Sequence, residues 1–213
     1  MSERASGFDR DPHDWYVEPA WCVELLAAAE HLNSNIWDPA CGNSTILRVF
    51  RKRGHTVFGT DIEHRHGADG PPLDFMSDAA NLYDQAFNSI ICNPPYHTVP
   101  GTRISMAEAF ALRALGLTRH KAALLVKLSF LSSDGRYRLF TDHPPSKVWI
   151  LSERASMPPG RLLDPETGRY AVDVPANKIR RGDAPSGGSI DFAWIVWERG
   201  YQGEPAIGWL KRP

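Results

Sequence analysis

An apolar run, Ile90-Ile91-Cys92, ends abruptly in Asn93-Pro94-Pro95-Tyr96. The run reads as a buried strand. Neither proline can donate a backbone N–H, so a ladder stops there. Pro94 also pushes Asn93 out of the helical region. The tetrapeptide is therefore a rigid tip at the carboxyl end of a strand, where open α/β sheets place their ligands. Asn93 offers an amide oxygen, Pro94 an unpaired carbonyl and Tyr96 a flat ring. This set suits a planar group bearing an exocyclic NH2. The two oxygens accept its hydrogens, the ring stacks on it, and the nitrogen lone pair is freed to attack an electrophile. Asn93 does not ionise, so its role is polarisation and aim rather than proton removal. A plain Pro-Pro turn after a buried strand fits the same four residues.

An electrophile needs a site of its own, and it should lie upstream. Ile36 and Trp37 read as a short strand, followed by Asp38-Pro39-Ala40-Cys41-Gly42-Asn43-Ser44 and a helix from Thr45 to Lys52. Strand, small-residue turn and helix N-terminus together make a polar nest. Asp38 can accept from an ammonium group, and Gly42 lets the backbone come close. Residues 55–62 read as the next strand, ending near Asp61. An acidic residue about twenty positions after a glycine turn can hold both ribose hydroxyls of a nucleoside.

The Asn-Pro-Pro-Tyr tip and the Asp-Pro-x-Cys-Gly loop resemble those of S-adenosylmethionine-dependent amino-methyltransferases. Ser44 departs from that loop, where a second glycine is usual. The order, with the loop before the tip, resembles the gamma-type, phage- or prophage-like DNA adenine-N6 enzymes. The resemblance runs from Trp15 to about Trp209. It implies S-adenosylmethionine as cofactor, contacted by Tyr16, Pro19, Asp38, Ala40, Gly42, Asp61, Asp74, Phe75 and Asn93. Tyr16 and Pro19 belong to an aromatic-x-x-Pro segment over the methionine end. Asp74 would accept from the cofactor's adenine amino group and Phe75 pack on its ring. The catalytic set is Asn93, Pro94, Pro95 and Tyr96. The implied reaction is direct in-line methyl transfer to the amino group of adenine in DNA, with the base flipped out and a tyrosine face near the sulfonium. RNA adenine and a protein glutamine side chain present the same NH2 group. A non-catalytic cofactor-binding subunit is the reading from another class.

With 213 residues and net charge -1, the chain suits one α/β domain over residues 1–213 and has no global basic field. Residues 1–14 read as a loose polar start. A helix follows, with Pro19 in its first turn and Trp21, Val23, Leu25, Leu26 and Ala29 as its apolar face. Further helices are expected over 104–117 and within 130–140, where Arg136 and Arg138 should be exposed. Further strands are expected over 122–128, 147–151 and 192–197. The alternation predicts a doubly wound, Rossmann-like sheet with helices on both faces. The resemblance makes that sheet mostly parallel and seven-stranded. A Pro/Gly-rich insertion occupies about 154–190. Its stretch from 154 to 182 carries six basic and three acidic residues, leaving the rest of the chain at -4. It reads either as a phosphate-touching substrate loop or as a solvated insertion, with residues 186–189 as a hinge. The chain has no large target-recognition domain, so a separate subunit could supply one. Cys22, Cys41 and Cys92 lack metal-ligand spacing, and the pair His64 and His66 has no further ligand nearby, so no metal is expected. No apolar run spans a membrane, no signal-peptide core is present, and a cytoplasmic location is expected.

Overall fold

The computed structural model describes residue 11 and residues 13–213. For residues 1–10 and 12, the reading of a loose start lies outside the described residues. The rest of that start is anchored. The Asp11 carboxylate accepts from the backbone N–H groups of His13 and Trp15 and pairs with Arg161 at 2.8 Å.

Seven strands form one sheet: β1 (Ile36–Asp38), β2 (Val57–Gly59), β3 (Ser89–Cys92), β4 (Lys121–Lys127), β5 (Lys147–Leu151), β6 (Phe192–Glu198) and β7 (Ala206–Leu210). Their order is β2-β1-β3-β4-β6-β5-β7. Only β6 runs antiparallel to its neighbours; every other pairing is parallel. From β1 the chain goes out to β2 on one side and returns to β3 on the other. The carboxyl ends of β1 and β3 therefore flank a topological switch point, where such sheets open a crevice.

Alternate strand residues face opposite sides, and both sides are covered. Ile36, Ile91, Leu125 and Trp194 pack with Val23 and Leu26 of α1 (Ala20–Ala29) and Leu47 and Phe50 of α2 (Thr45–Lys52). Trp37, Ile90, Leu124 and Ile195 pack with Phe110 and Ala114 of α3 (Met106–Leu117) and Leu139 of α4 (Tyr137–Asp142). Burial on both faces is why these strands read as continuous apolar runs. The Trp194 indole N–H donates to the Cys22 carbonyl at 3.0 Å and ties α1 to β6.

Several details differ from the sequence reading. Pro19 precedes α1 as its cap rather than opening the first turn. β2 is shorter than expected, so Asp61 lies two residues beyond it. Arg136 is half-buried, because its Nε donates to the Phe130 carbonyl at 2.7 Å and its guanidinium covers the Phe130 ring. β7 was not expected from the residues; it pairs with β5 at the sheet edge.

The long segment between β5 and β6 carries its own small core. Leu163 and Tyr170 pack on Val17, with Trp15, Val174 and Ile179 around them. Backbone bridges join Tyr16 to Pro159, Leu163 to Tyr170, and Val174 to Ile179. A Cβ on Gly160 would lie 2.1 Å from Cε2 of Trp15, so only glycine fits there. The proposed hinge is also packed, since a Cβ on Gly188 would meet the Ala155 carbonyl at 2.3 Å. The insertion thus docks on the N-terminal segment, whose residues His13 to Glu18 wall one side of the crevice. Among the described residues no helix is long and apolar enough to cross a membrane.

Candidate active site

The loop after β1 turns tightly. Gly42 sits at φ +47° and Ser44 at φ +59°. Ser44 occupies the position where a second glycine is usual, and the backbone there is left-handed. That conformation costs a non-glycine residue about 1–2 kcal/mol. The Ser44 hydroxyl offsets part of this by donating to the His66 carbonyl at 3.0 Å. The Gly42 N–H donates to Asp61 Oδ2 at 2.9 Å, linking the loop to the end of β2. Asp61 Oδ1 accepts from the Glu63 N–H at 3.1 Å and from Arg65 Nε at 3.2 Å. The Arg65 guanidinium lies 3.8 Å from the Trp15 ring centroid.

These pieces surround a cavity of about 520 Å³ at the switch point. Of the sequence-predicted residues, Tyr16, Ala40, Gly42, Asp61, Asp74, Phe75, Asn93 and Pro95 form its walls. Asp38 lies just behind, at 1% exposure. Pro19, Pro94 and Tyr96 are not among the walls. Phe75 is buried edge-on against Trp37, with ring centroids 5.2 Å apart. Asp74 is exposed at the rim and accepts from the Met76 N–H at 2.8 Å.

The Asn93 amide is held on three sides. Its Nδ2 donates to the Tyr16 carbonyl at 2.8 Å and to Glu18 Oε2 at 3.1 Å. Its Oδ1 accepts from the Tyr96 hydroxyl. Two acceptors face the nitrogen and one donor faces the oxygen, so only one flip of the amide satisfies all three. An amide oxygen has two lone pairs, and Tyr96 uses one of them. Tyr96 itself turns inward: its ring centroid is 6.3 Å from that of Phe192, and its backbone N–H donates to Asp14 Oδ2 at 3.1 Å. In this arrangement it supports Asn93 from behind rather than presenting a face to the cavity.

Carboxyl groups predominate at the site, with Arg65 and Arg48 as nearby cations. Burial, reinforced by Glu18, holds the Asp38 carboxyl well above the usual carboxylate range. Burial likewise pushes Glu18 up to about 7, against lowering by its own backbone N–H, the Asn93 hydrogen bond and Arg48. Burial raises the Tyr96 phenol, which therefore stays a donor. The thiols of Cys41 and Cys92 are raised by burial and nearby carboxylates and are poor nucleophiles. Asn43, on the cavity wall, has a buried Nδ2 with no hydrogen-bond partner. Sequence reasoning missed Glu18, Asn43 and the Trp15–Arg65 stack. For Glu18 the available signal was its place inside the aromatic-x-x-Pro segment, between Tyr16 and Pro19.

Neither a protein-family model nor a curated protein matches the sequence. Solved structures do share its fold. The methyltransferase subunit of a type I restriction-modification system from Streptococcus thermophilus superposes with a TM-score of 0.61 at 13% identity, over 95% of this chain and 48% of that one. A protein described as a class I S-adenosylmethionine-dependent methyltransferase from Listeria monocytogenes gives 0.53 at 13% identity, over 89% and 62%. Magnesium protoporphyrin IX methyltransferase from Synechocystis, with bound S-adenosylmethionine, gives 0.50 at 12% identity, over 85% and 79%.

This chain has the Rossmann-like methyltransferase fold. It spans about half the length of the Streptococcus subunit. One neighbour is named for a restriction-modification system and another for magnesium protoporphyrin IX, so the fold leaves the substrate to be argued from the site.

Proposed function

We propose that this chain binds S-adenosylmethionine and directs methyl transfer to the exocyclic amino group of adenine in DNA. The observation that carries the reading is the Asn93 amide, fixed beside the cavity with one lone pair of Oδ1 still free. The walls fit the cofactor's charges. Asp38, buried and with no ion-pair partner among the described residues, suits an ammonium group, and the orphaned Asn43 Nδ2 suits a carboxylate. Tyr16, Pro19, Ala40 and Gly42 line or flank the same end, and Asp61, Asp74 and Phe75 the nucleoside end. Arg65 shares Asp61 and would have to swing aside or bind beside a ribose.

When bound, S-adenosylmethionine supplies an electrophilic methyl group on a sulfonium. Asn93 Oδ1 and the Pro94 carbonyl accept the two hydrogens of the target amine and aim its lone pair at that methyl. Pro94 and Pro95 keep the tip from rearranging as the charge moves. The amine loses a proton after transfer, and that proton is acidic enough for water to take it, so no dedicated base is assigned. Tyr96 holds Asn93 in place; stacking on a flipped base requires its ring to turn outward from Phe192.

DNA is favoured over the other NH2-bearing substrates by two features. Lys178, Arg180 and Arg181 are exposed on the docked insertion, and that insertion flanks the cavity through Trp15. The Streptococcus neighbour is a restriction-modification subunit by name. That neighbour is a subunit of a larger system by name, and a separate partner for target recognition is part of the proposal. RNA adenine and protein glutamine remain the alternatives of the same chemistry. We place the protein in the cytoplasm, where its three buried free cysteines stay reduced. Digestion of methylated duplex DNA to nucleosides tests the substrate. Label in methyladenosine is expected, and label confined to RNA or to a glutamine-bearing protein would overturn the assignment.

A further inference from the structure

Glu18 is 7% exposed, lines the cavity, and forms no salt bridge among the described residues. A buried carboxylate with no cation in direct contact is costly and needs a reason. Among the described residues, its side-chain hydrogen bond to another residue is the 3.1 Å contact from Asn93 Nδ2. That contact matters because an amide can flip by half a turn at little cost. Flipped, Asn93 would present an NH2 group to the target amine, a donor facing a donor. The Tyr16 carbonyl occupies one Nδ2 hydrogen and Glu18 the other, so a flipped amide would set its oxygen against two acceptors.

We propose that Glu18 is a positioning residue for Asn93, whose carboxylate locks the amide with Oδ1 turned to the incoming amine. The inference rests on the reading of Asn93 as the amine acceptor. The lock is strongest when Glu18 is ionised, because hydrogen bonds to a charged acceptor are roughly twice as strong as neutral ones. Among the described residues, the titratable groups that act on it are Cys22 on α1, Asp38 at the end of β1, Arg48 on α2, Cys92 on β3, and Tyr96. Arg48 is the cation in this set and favours the charged form, while Asp38 opposes it. Ionisation near pH 7 should therefore appear as a rising limb in the pH profile of kcat.

The test compares E18L and E18Q with the wild-type chain in methyl transfer to duplex DNA at saturating S-adenosylmethionine. E18L should lower kcat by on the order of 10- to 100-fold, the span of a hydrogen bond to a charged group, with little change in the KM for DNA. E18Q keeps an amide oxygen for Asn93 Nδ2, so it should recover most of that loss while flattening the limb near pH 7. If wild type transfers methyl, N93A does not, and E18L keeps the wild-type kcat, the positioning role is overturned and the reading of Asn93 stands. If wild type methylates no amine, both fall. Should E18L fail to fold, the side-chain NH2 resonances of Asn93 decide. They should exchange slowly in wild type and shift with a midpoint near pH 7, and the shift should vanish in E18Q. Fast exchange with no pH response would overturn the lock.

Discussion

Replacing Glu18 by glutamine should stabilise the ligand-free protein at neutral and alkaline pH. In the fold Glu18 holds its proton up to about pH 7, against an ordinary value of 4.5. Between those values the native state binds a proton that the unfolded chain has released, so stability falls as pH rises. The favourable contribution is complete below about 4.5 and lost by about 7. At about 1.36 kcal/mol per pH unit, the loss is roughly 3 kcal/mol. E18Q does not titrate and escapes it. Removing the Glu18 charge also relieves Asp38, whose carboxyl it raises, and that effect has the same sign. Urea unfolding of both proteins from pH 5 to pH 8, without ligand, reads the difference directly. E18Q should lead by about 1 kcal/mol at pH 5 and by roughly 3 kcal/mol at pH 8. A difference that stays flat with pH, or a wild type that gains on E18Q as pH rises, would refute the reasoning. The expected gain also shows why such a residue persists only for function: a strained or uncompensated group at a site is stability given up there.

Three further outcomes follow from the geometry. Asp61→Ala removes the acceptor shared by the Gly42 N–H and Arg65, and should weaken S-adenosylmethionine binding about 10- to 100-fold by calorimetry. Gly160→Ala drives a methyl group into Trp15; overpacking of about 1–3 kcal/mol should lower Tm by roughly 2–10 °C in a thermal scan. Replacing Arg180 and Arg181 together by alanine should reduce the slope of log affinity for duplex DNA against log salt by about 1.8 if each side chain meets one phosphate. An unchanged slope would remove the insertion from the nucleic-acid surface.

Much of the scaffold was legible because local and tertiary signals agree. The Ser44-Thr45 turn and the basic residues Arg51 and Lys52 bracket α2, which runs from Thr45 to Lys52 as expected. The doubly buried runs at Ile90 and Phe192 could only be central strands. β7 was hidden because it is a short run broken by Gly208: its apolar Ile207 and Trp209 face solvent at the sheet edge, and the glycine makes room for Trp149. The insertion's anchors, Leu163, Tyr170, Val174 and Ile179, are scattered among prolines and charges, and they become a cluster only when Val17 arrives from the other end of the chain. Ser44 is a case where the departure from pattern was visible and its consequence was not. The left-handed backbone is kept, and the His66 carbonyl takes the extra hydroxyl. The Asn93 tip could be found from four residues. The inward turn of Tyr96 and the depth of Glu18 could not, because both depend on what packs around them.

The account turns on Asn93 as the acceptor of the target amine. Transfer of labelled methyl from S-adenosylmethionine to mixed-sequence duplex DNA, by the wild-type chain and by Asn93→Ala, tests it most directly. Label in methyladenosine with the wild type, none with the variant, and cofactor affinity preserved in both is the predicted result. An Asn93→Ala protein that methylates at the wild-type rate would contradict it.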